Sequence, residues 1–293
     1  MLLLPKFQYH QPVDLKEACE MLASMGLEAR LLAGGTDLLV NMKKGVESPE
    51  HLVSIGELGE LQGIHQDGDV LKIGACHRVA DISSSQLIHE NFPGIALGAE
   101  SLGSPPVRNL ATVGGNLVTA SPAADLPPPL MAYGARVVLR ASNSERTLEL
   151  NSFFLGPGQT QIQPHEILSE IIIPIPLGAS GCGYLKLGTR KALEISIVNV
   201  AAFISMDGNG LIDNARVVLG SVAPTPIRSH RAEMMLKGEK PSSKLFEEAG
   251  KAALIDSNPI DDFRASAAYR KEMVAVLTKR ALAMAHEQIR VKS

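Results

Sequence analysis

The sequence contains no tryptophan and only three cysteines in 293 residues. Cys19, Cys76 and Cys182 are far apart and form no C-x-x-C pair. This spacing argues against a disulfide framework and a structural zinc site, and it is typical of proteins from a reducing compartment. We therefore expect a cytoplasmic protein.

Dense basic runs and long apolar runs are also missing. The net charge is −3, so nothing indicates binding to nucleic acid or to an anionic membrane. No stretch reaches the roughly 18 apolar residues of a transmembrane helix, and residues 1–6 are too short and too interrupted by Pro5 for a signal peptide. The apolar fraction of 45% and charged fraction of 20% are typical of a soluble globular protein with room for two ordinary domains.

Sequence patterns of the common hydrolases are absent as well. There is no H-E-x-x-H, and residues 178–182 miss G-x-S-x-G because Cys182 stands where glycine is required. The eight histidines are dispersed, and no nucleophile, base and orienting group come together in the sequence. A chain with a cofactor site and no such acid–base set is typical of proteins in which the cofactor performs the chemistry. We predict no catalytic side chain and no metal ligand.

Two glycine pairs are the main positive signal. In the first, the apolar run Leu31-Leu32-Ala33 predicts a buried strand that stops at Gly34-Gly35, and Thr36-Asp37 predicts the start of a helix that runs through residue 43. A strand that ends in glycines before a helix presents several unpaired backbone N–H groups at one place. Such a loop suits an anion, and above all a phosphate.

The second pair, Gly114-Gly115, repeats the arrangement about 80 residues later. Thr112, Asn116 and Thr119 flank it, and Asp125 follows before a run of prolines. Each pair alone is better explained as a tight turn, but together they indicate a diphosphate that is held from both sides. Neither stretch contains G-x-G-x-x-G, and G-x-x-x-x-G-K-[ST] is absent, so the Rossmann and P-loop interpretations lose their main support.

Both stretches resemble the FAD-binding signatures of the medium, flavin-carrying subunit of molybdenum hydroxylases, the relatives of xanthine dehydrogenase and carbon monoxide dehydrogenase. The most specific match is residues 112–125, and the resemblance covers essentially the whole chain. Further matching segments are Ile73-Gly74-Ala75 with Asp81-Ile82, residues 166–170, Tyr184-Leu185-Lys186 with Arg190, residues 266–270 and residues 280–282. The resemblance implies an α+β fold, with a two-lobed FAD-binding domain of the vanillyl-alcohol-oxidase type followed by a C-terminal domain.

Hydrophobic spacing and turn residues suggest where these units lie. Residues 1–56 predict a β-α-β unit as FAD-binding subdomain 1, residues 57–176 form subdomain 2, and residues 177–293 form the C-terminal domain. The best boundary is the Pro- and Gly-rich segment 174–183. A hairpin with strands at 61–64 and 70–73 is predicted around Asp67-Gly68-Asp69. The C-terminal domain is predicted to contain helices and a three-stranded antiparallel sheet, with strands near 183–187, 197–206 and 211–220.

The family resemblance also implies which residues contact the cofactor. FAD would lie extended between the two N-terminal subdomains, with its diphosphate held by backbone N–H groups of residues 33–37 and 112–116. Asp125 would accept hydrogen bonds from ribityl or ribose hydroxyls. Because aromatic residues make up only 4% of the chain, aliphatic side chains are expected to line the flavin ring. The implied contact residues are Leu31, Leu32, Ala33, Gly34, Gly35, Thr36, Asp37, Leu102, Gly103, Ala111, Thr112, Gly115, Asn116, Val118, Thr119, Ala124, Asp125, Ile167, Leu168 and Lys186.

Three residues have two possible roles. Lys186 matches a family position beside the isoalloxazine, where a cation would favour the anionic reduced flavin, but it is equally explained as a surface lysine on a strand. Arg108 is either a partner for the diphosphate charge or a solvated arginine. His77 matches no covalent flavin link of this family, and we interpret it as a structural or capping residue.

The resemblance implies an FAD-dependent oxidoreductase subunit that works within a complex. FAD would be bound non-covalently, and would pass electrons to NAD+, a quinone or oxygen. Molybdopterin and [2Fe–2S] clusters would sit on a large and a small partner subunit, giving a heterotrimer that is doubled. Two other interpretations stay open: a stand-alone flavin-dependent oxidase or reductase, and a non-catalytic flavin-carrying assembly subunit.

Overall fold

The computed structural model of the protein describes residues 3–190 and 193–292, so part of the predicted N-terminal segment, residues 1–2, lies outside the described residues. In these ranges the strands form sheets of three, five and four strands and one two-stranded ribbon. The sheets follow one another along the chain, and we call the units that contain them lobe 1, lobe 2 and lobe 3. No helix within the described ranges is both long and apolar enough to cross a membrane.

Lobe 1 is a small parallel sheet with the strand order β1-β3-β2. Its first helix starts at Asp14, whose carboxylate accepts a hydrogen bond from Glu17 N at 2.8 Å, a typical N-cap. Leu15 and Leu22 lie on the buried stripe of this helix, as does Cys19, in agreement with the helical spacing of the sequence. The elements are β1 Gln8–His10, α1 Leu15–Met25, β2 Ala29–Leu32, α2 Leu38–Lys43 and β3 His51–Ser54.

Lobe 2 is an antiparallel sheet with the order β4-β5-β10-β6-β7, covered by short helices. The strands are β4 Ile64–Asp67, β5 Val70–Gly74, β6 Arg136–Ala141, β7 Ser144–Glu149, β8 Phe154–Gly156, β9 Gln159–Thr160 and β10 Ile167–Pro174. The helices are α3 Val79–Ser84, α4 Gln86–Asn91, α5 Pro93–Ser101, α6 Pro105–Arg108, α7 Val113–Val118, α8 Pro127–Ala132 and α9 Leu150–Phe153.

The predicted first strand of the β4–β5 hairpin was wrong by three residues. Leu61 ends a 3₁₀ turn and its side chain is fully buried in the core of lobe 1. Its carbonyl accepts a hydrogen bond from Cys76 N at 2.8 Å. Because Leu61 is held by the other lobe, the strand begins only at Ile64, and it continues to Asp67 at the turn.

Lobe 3 contains the three long antiparallel strands that the sequence predicts, packed by helices. A fourth strand of two residues, which the sequence analysis did not identify, extends the sheet beyond β13. The elements are β11 Ser180–Leu187, β12 Val198–Met206, β13 Ile212–Gly220, β14 Ile227–Arg228, α10 His230–Leu236, α11 Ser243–Asp256 and α12 Ala267–Lys292.

The sheet of lobe 3 is buried on both faces. Tyr184 and Phe203 belong to the core of lobe 2, whereas Val200 and Ile204 pack beneath the C-terminal helices. The alternation of side chains along the strands explains this division, because neighbouring residues point to opposite faces. The architecture confirms the predicted α+β class. The domain boundaries stay a prediction, since the core of lobe 2 continues into the sheet of lobe 3.

Helices α11 and α12 approach each other closely at a glycine. A Cβ atom on Gly250 would overlap the carbonyl oxygen of Ala275 and lie 3.2 Å from its carbonyl carbon. Only a residue without a side chain allows this backbone separation.

Gly250→Ala should therefore destabilise the fold. Alanine normally stabilises a helix relative to glycine by up to about 1 kcal/mol, but here overpacking should reverse the sign and cost roughly 1–3 kcal/mol. Urea denaturation would measure the free energy of unfolding. Gly59→Ala is the control, because a Cβ at that exposed position meets nothing within 4 Å. Equal stability of the two variants would contradict this account of the packing.

Candidate functional site

The loop after β2 presents a row of free backbone donors. Residues 33–37 connect β2 to α2 and lie at the carboxyl end of a parallel strand, where ligands of open parallel sheets commonly bind. None of their five amide N–H groups donates a hydrogen bond within the described part of the chain. Gly35 has φ of 69°, a conformation that favours glycine. The loop therefore has the unpaired donors that an anion requires.

The second lobe packs directly against this loop. A Cβ on Gly34 would overlap Leu110 O and lie 3.1 Å from Ala111 Cα, so only glycine fits there. Thr119 of the second stretch lies beside the Asp37 carboxylate. Desolvation raises the pKa of Asp37 above its ordinary value, and the nearby Thr119 hydroxyl partly lowers it again. The structure thus brings the two glycine stretches together.

The second glycine pair lies inside the first turn of α7 instead of in an open loop. Thr112 is the N-cap, and its Oγ1 accepts from Gly115 N at 3.1 Å. Val113 N donates to His77 O at 3.1 Å, and Gly114 N donates to Ala75 O at 2.7 Å. We expected the N–H groups of residues 112–116 to hold a diphosphate. In this structure those of residues 113–116 already donate to protein acceptors, with Asn116 N donating to Thr112 O at 3.0 Å. We therefore do not assign the diphosphate to these four groups.

What α7 does offer to a ligand are polar side-chain atoms. Asn116 Oδ1 is buried and has no hydrogen-bond partner among the described residues. Leaving a buried acceptor unpaired costs about 1–3 kcal/mol. A ligand that carries hydroxyl or N–H donors would satisfy this atom. FAD carries such groups as well as a diphosphate, so the residues present fit it.

Asp125 is the centre of a buried polar network between lobes 2 and 3. Its Oδ1 accepts hydrogen bonds from Tyr184 OH at 2.8 Å and Ser196 Oγ at 3.1 Å. Its Oδ2 accepts from Lys186 Nζ at 2.7 Å, and the same Nζ donates to Ser101 O at 3.0 Å. Burial raises the pKa of the Asp125 carboxyl, and the nearby Lys186 and the hydroxyl donors act in the opposite direction.

Comparison with known families agrees with this geometry. Residues 5–176 match the family described as the FAD binding domain in molybdopterin dehydrogenase, and residues 183–285 match the CO dehydrogenase flavoprotein C-terminal domain. The chain belongs to the FAD-binding medium subunits of the molybdenum hydroxylases. FAD is its cofactor, and it is an FAD-dependent oxidoreductase subunit.

Individual relatives of this FAD subunit align over nearly their whole length. The carbon monoxide dehydrogenase medium chain of Hydrogenophaga pseudoflava is 34% identical over 278 residues, which cover 95% of this chain and 96% of the relative. The xanthine dehydrogenase FAD-binding subunit of Escherichia coli O157:H7 is 31% identical over 280 residues, with 94% and 95% covered.

Solved structures give the same picture. Carbon monoxide dehydrogenase from Hydrogenophaga pseudoflava superimposes with a TM-score of 0.94 at 34% identity, with 98% of this chain and 99% of that chain covered. Quinoline 2-oxidoreductase from Pseudomonas putida 86 superimposes with a TM-score of 0.92 at 27% identity, with the same coverage.

The other residues that we expected to contact FAD differ in how much of their surface is exposed to solvent. Ile167 is fully buried in the core of lobe 1, and Leu168 is 4% exposed in the core of lobe 2. The Ile167 side chain therefore has no surface for a flavin ring in this structure. Residues near the loop or the second stretch are half-buried or nearly buried: Leu31, Leu32, Ala33, Thr36, Leu102, Gly103 and Ala124. Val118 is 36% exposed.

Sequence reasoning missed the partners of Asp125. Tyr184 and Lys186 were noted only as part of a family motif, although residues i and i+2 of a strand share one face. That spacing was the available signal that both reach the same point. Ser196 carried no such signal, because it lies outside the strand pattern of β11 and only tertiary packing brings it to Asp125. The structure also excludes the surface interpretation of Lys186, whose side chain is 12% exposed.

Arg108 and His77 have structural roles. Arg108 Nη1 donates to Leu102 O at 3.0 Å. His77 Nδ1 accepts a hydrogen bond from Gly63 N at 3.2 Å, which agrees with the interpretation of His77 as a structural residue. Burial lowers the pKa of His77, and Asp81 partly raises it.

One group of side chains in the described residues has metal-ligand chemistry. Glu28, Glu50 and His51 place ligand atoms within 4.8 Å of one another. Glu28 and His51 stand at the starts of β2 and β3, whereas the glycine loop follows the end of β2. Both carboxylates are exposed, and such groups occur often without an ion, so we assign no metal here.

The Asp125–Lys186 pair should couple lobes 2 and 3 energetically. Lys186→Met leaves a carboxylate that is 7% exposed without its cation, and we expect the free energy of unfolding to fall by about 3 kcal/mol. Adding Asp125→Asn should recover part of this loss, because the unpaired charge disappears. Urea denaturation of both single variants and the double variant gives the coupling. Strictly additive losses would show that the pair does not couple the lobes.

Acid should weaken the contribution of His77 to stability. Its folded pKa lies below the unfolded value of 6.5, so the unfolded chain binds the proton more readily. The stabilisation is present above pH 6.5 and is lost as the pH falls through the lowered folded pKa. We expect the stability gap between the wild type and His77→Gln to shrink between about pH 7.5 and pH 5. Unfolding curves across that range test this, and a constant gap would contradict it.

Proposed function

We propose that this chain carries electrons through FAD between the iron–sulfur clusters of a partner subunit and an external acceptor. The observation that supports the proposal is the row of five unpaired N–H groups in residues 33–37, against which the second glycine stretch closes. Two lobes that meet at such a loop form a cleft for an extended dinucleotide.

In this proposal the loop carries the diphosphate and α7 contributes side chains. The N–H groups of residues 33–37 would donate to the phosphate oxygens, at the carboxyl end of β2. Asn116 Oδ1 would accept from a sugar or ribityl hydroxyl, and so would Thr119 Oγ1, whose own proton is donated to Gly115 O at 2.8 Å. The remaining contacts follow the family resemblance: Leu31, Leu32, Ala33, Leu102, Gly103, Ala111, Thr112, Gly115, Val118, Ala124 and Leu168, together with the main chain of Ile167.

Asp125 and Lys186 have a further role at the flavin end of the cleft. Lys186 is the cation closest to Asp125 and bridges it to Ser101 O. When bound, FAD supplies the redox chemistry, taking up electrons from a partner and passing them to NAD+, a quinone or oxygen. Lys186 would place positive charge beside the ring, and Asp125 would hold that ammonium group in place while it accepts from a ribityl hydroxyl.

The cysteines of the chain support placing the iron–sulfur clusters elsewhere. Cys19, Cys76 and Cys182 are all buried, the first two in the core of lobe 1 and Cys182 in the core of lobe 2. Burial raises the pKa of the Cys76 and Cys182 thiols to about 12, so neither is poised as a thiolate ligand. The clusters would lie on a small subunit and molybdopterin on a large one, in a cytoplasmic heterotrimer that is doubled.

The purified chain should bind one equivalent of FAD and show the yellow absorbance of a flavoprotein. Gly115→Val should abolish this binding. A Cβ added at this half-buried position would already lie 2.9 Å from Thr112 Oγ1, and the two methyl groups of valine would crowd the contact between lobes 1 and 2. Titration with FAD, followed by flavin fluorescence, measures the affinity.

Gly59→Val serves as the control, since that position is exposed and open. If Gly115→Val retains FAD with unchanged affinity and is folded, the second glycine stretch does not border the cofactor. If the wild type binds no flavin, the electron-carrier proposal itself fails.

A further inference from the structure

We infer that Arg78 is a charge partner of the FAD diphosphate, reaching it across the seam between lobes 1 and 2. No glycine motif or family segment quoted above includes this residue. The inference rests on the proposed function, since it assumes that the diphosphate lies at residues 33–37.

The backbone places Arg78 opposite the start of α7. Arg78 and Thr112 form an isolated antiparallel bridge. Val79 N donates to Ala111 O at 2.9 Å and Val113 N donates to His77 O at 3.1 Å. These flanking bonds make residues 78 and 112 a non-hydrogen-bonded pair, in which the two side chains lie close together on one side. Arg78 therefore stands beside the N-cap of the second glycine stretch.

The side chain of Arg78 then reaches lobe 1. Its Nη2 lies 3.4 Å from Glu57 Oε1. Glu57 follows Gly56, and a Cβ on Gly56 would lie 3.2 Å from Ala33 O, at the first residue of the donor loop. The guanidinium group thus contacts the residue after Gly56, and Gly56 packs against Ala33 at the start of the donor loop.

The charges around the seam leave a need for a cation. Asp37 and Glu57 are both acidic, and a diphosphate would add about two further negative charges. Lys186 is held by Asp125 and Ser101 O between lobes 2 and 3, and Nη1 of Arg108 donates to Leu102 O. Without a further cation, only the uncharged N–H groups of residues 33–37 would offset the negative charges of the diphosphate and of these two carboxylates.

Arg78 is available to change partners. The Arg78 side chain is 50% exposed and that of Glu57 is 89% exposed, and exposed pairs of this kind contribute little to stability. Guanidinium groups bind phosphate oxygens through two parallel hydrogen bonds, which are stronger than bonds between neutral groups. Exchange of the weak Glu57 contact for the diphosphate would therefore favour FAD binding.

The test compares FAD with riboflavin, which lacks the diphosphate, on the purified full-length chain. Arg78→Gln should weaken FAD binding roughly tenfold, as expected for the loss of one charge-assisted contact, and should leave riboflavin binding unchanged. Arg78→Lys should fall between the wild type and Arg78→Gln. The difference in FAD affinity between the wild type and Arg78→Gln should become smaller at high salt, because salt screens an exposed charge contact.

Arg140→Gln is the matched control, since Arg140 forms a similarly exposed pair with Glu145 at the end of β6. Thermal unfolding of each variant shows whether it is folded. If Arg78→Gln does not fold, the FAD and riboflavin affinities of Arg78→Lys test the inference instead. If the Arg78 variants bind FAD with the same affinity as the wild type, the inference is overturned. It is also overturned if the substitutions weaken riboflavin binding as much as FAD binding. Absence of any flavin binding by the wild type would instead contradict the proposed function.

Discussion

The close approach of Gly34 to Leu110 and Ala111 is the constraint on which the candidate site depends. Any side chain at position 34 would overlap the Leu110 carbonyl, so the two lobes can meet only because this residue is glycine. The contact closes the donor loop on one side and leaves its N–H groups without protein acceptors. A loop of mostly half-buried residues whose backbone donors all lack acceptors within the described chain is a ready site for an anionic ligand.

A buried polar network connects lobe 2 to the C-terminal lobe. Asp125 closes lobe 2 just before α8, while Tyr184 and Lys186 extend from β11 and Ser196 precedes β12. Breaking such a buried network by removing one partner leaves an uncompensated charge. The C-terminal sheet therefore contributes side chains to the candidate site. The same sheet also shares a hydrophobic core with lobe 2, which holds the two lobes together.

Residues near one another in the sequence were predicted well, and residues brought together by packing were not. The helix after Asp14 and the loop at Gly34-Gly35 follow from spacing and turn chemistry that act over a few residues. The second glycine pair does not present free donors, because Gly114 N pairs with Ala75 O, about 40 residues away, and Gly115 N pairs with the capping hydroxyl of Thr112. Leu61 was assigned to a strand for the same reason: its partner in the core belongs to the other lobe.

The sequence by itself determined the α+β class, the position of the two glycine stretches and the family to which they belong. These properties depend on local backbone preference and on motifs that stay together along the chain. Only the tertiary structure decided that loop 33–37 keeps its donors free while α7 does not, that Asp125 pairs with Lys186, and that Arg78 stands at the seam. Each of these depends on atoms that are distant in sequence, and hydrophobic packing of the lobes fixes their separation.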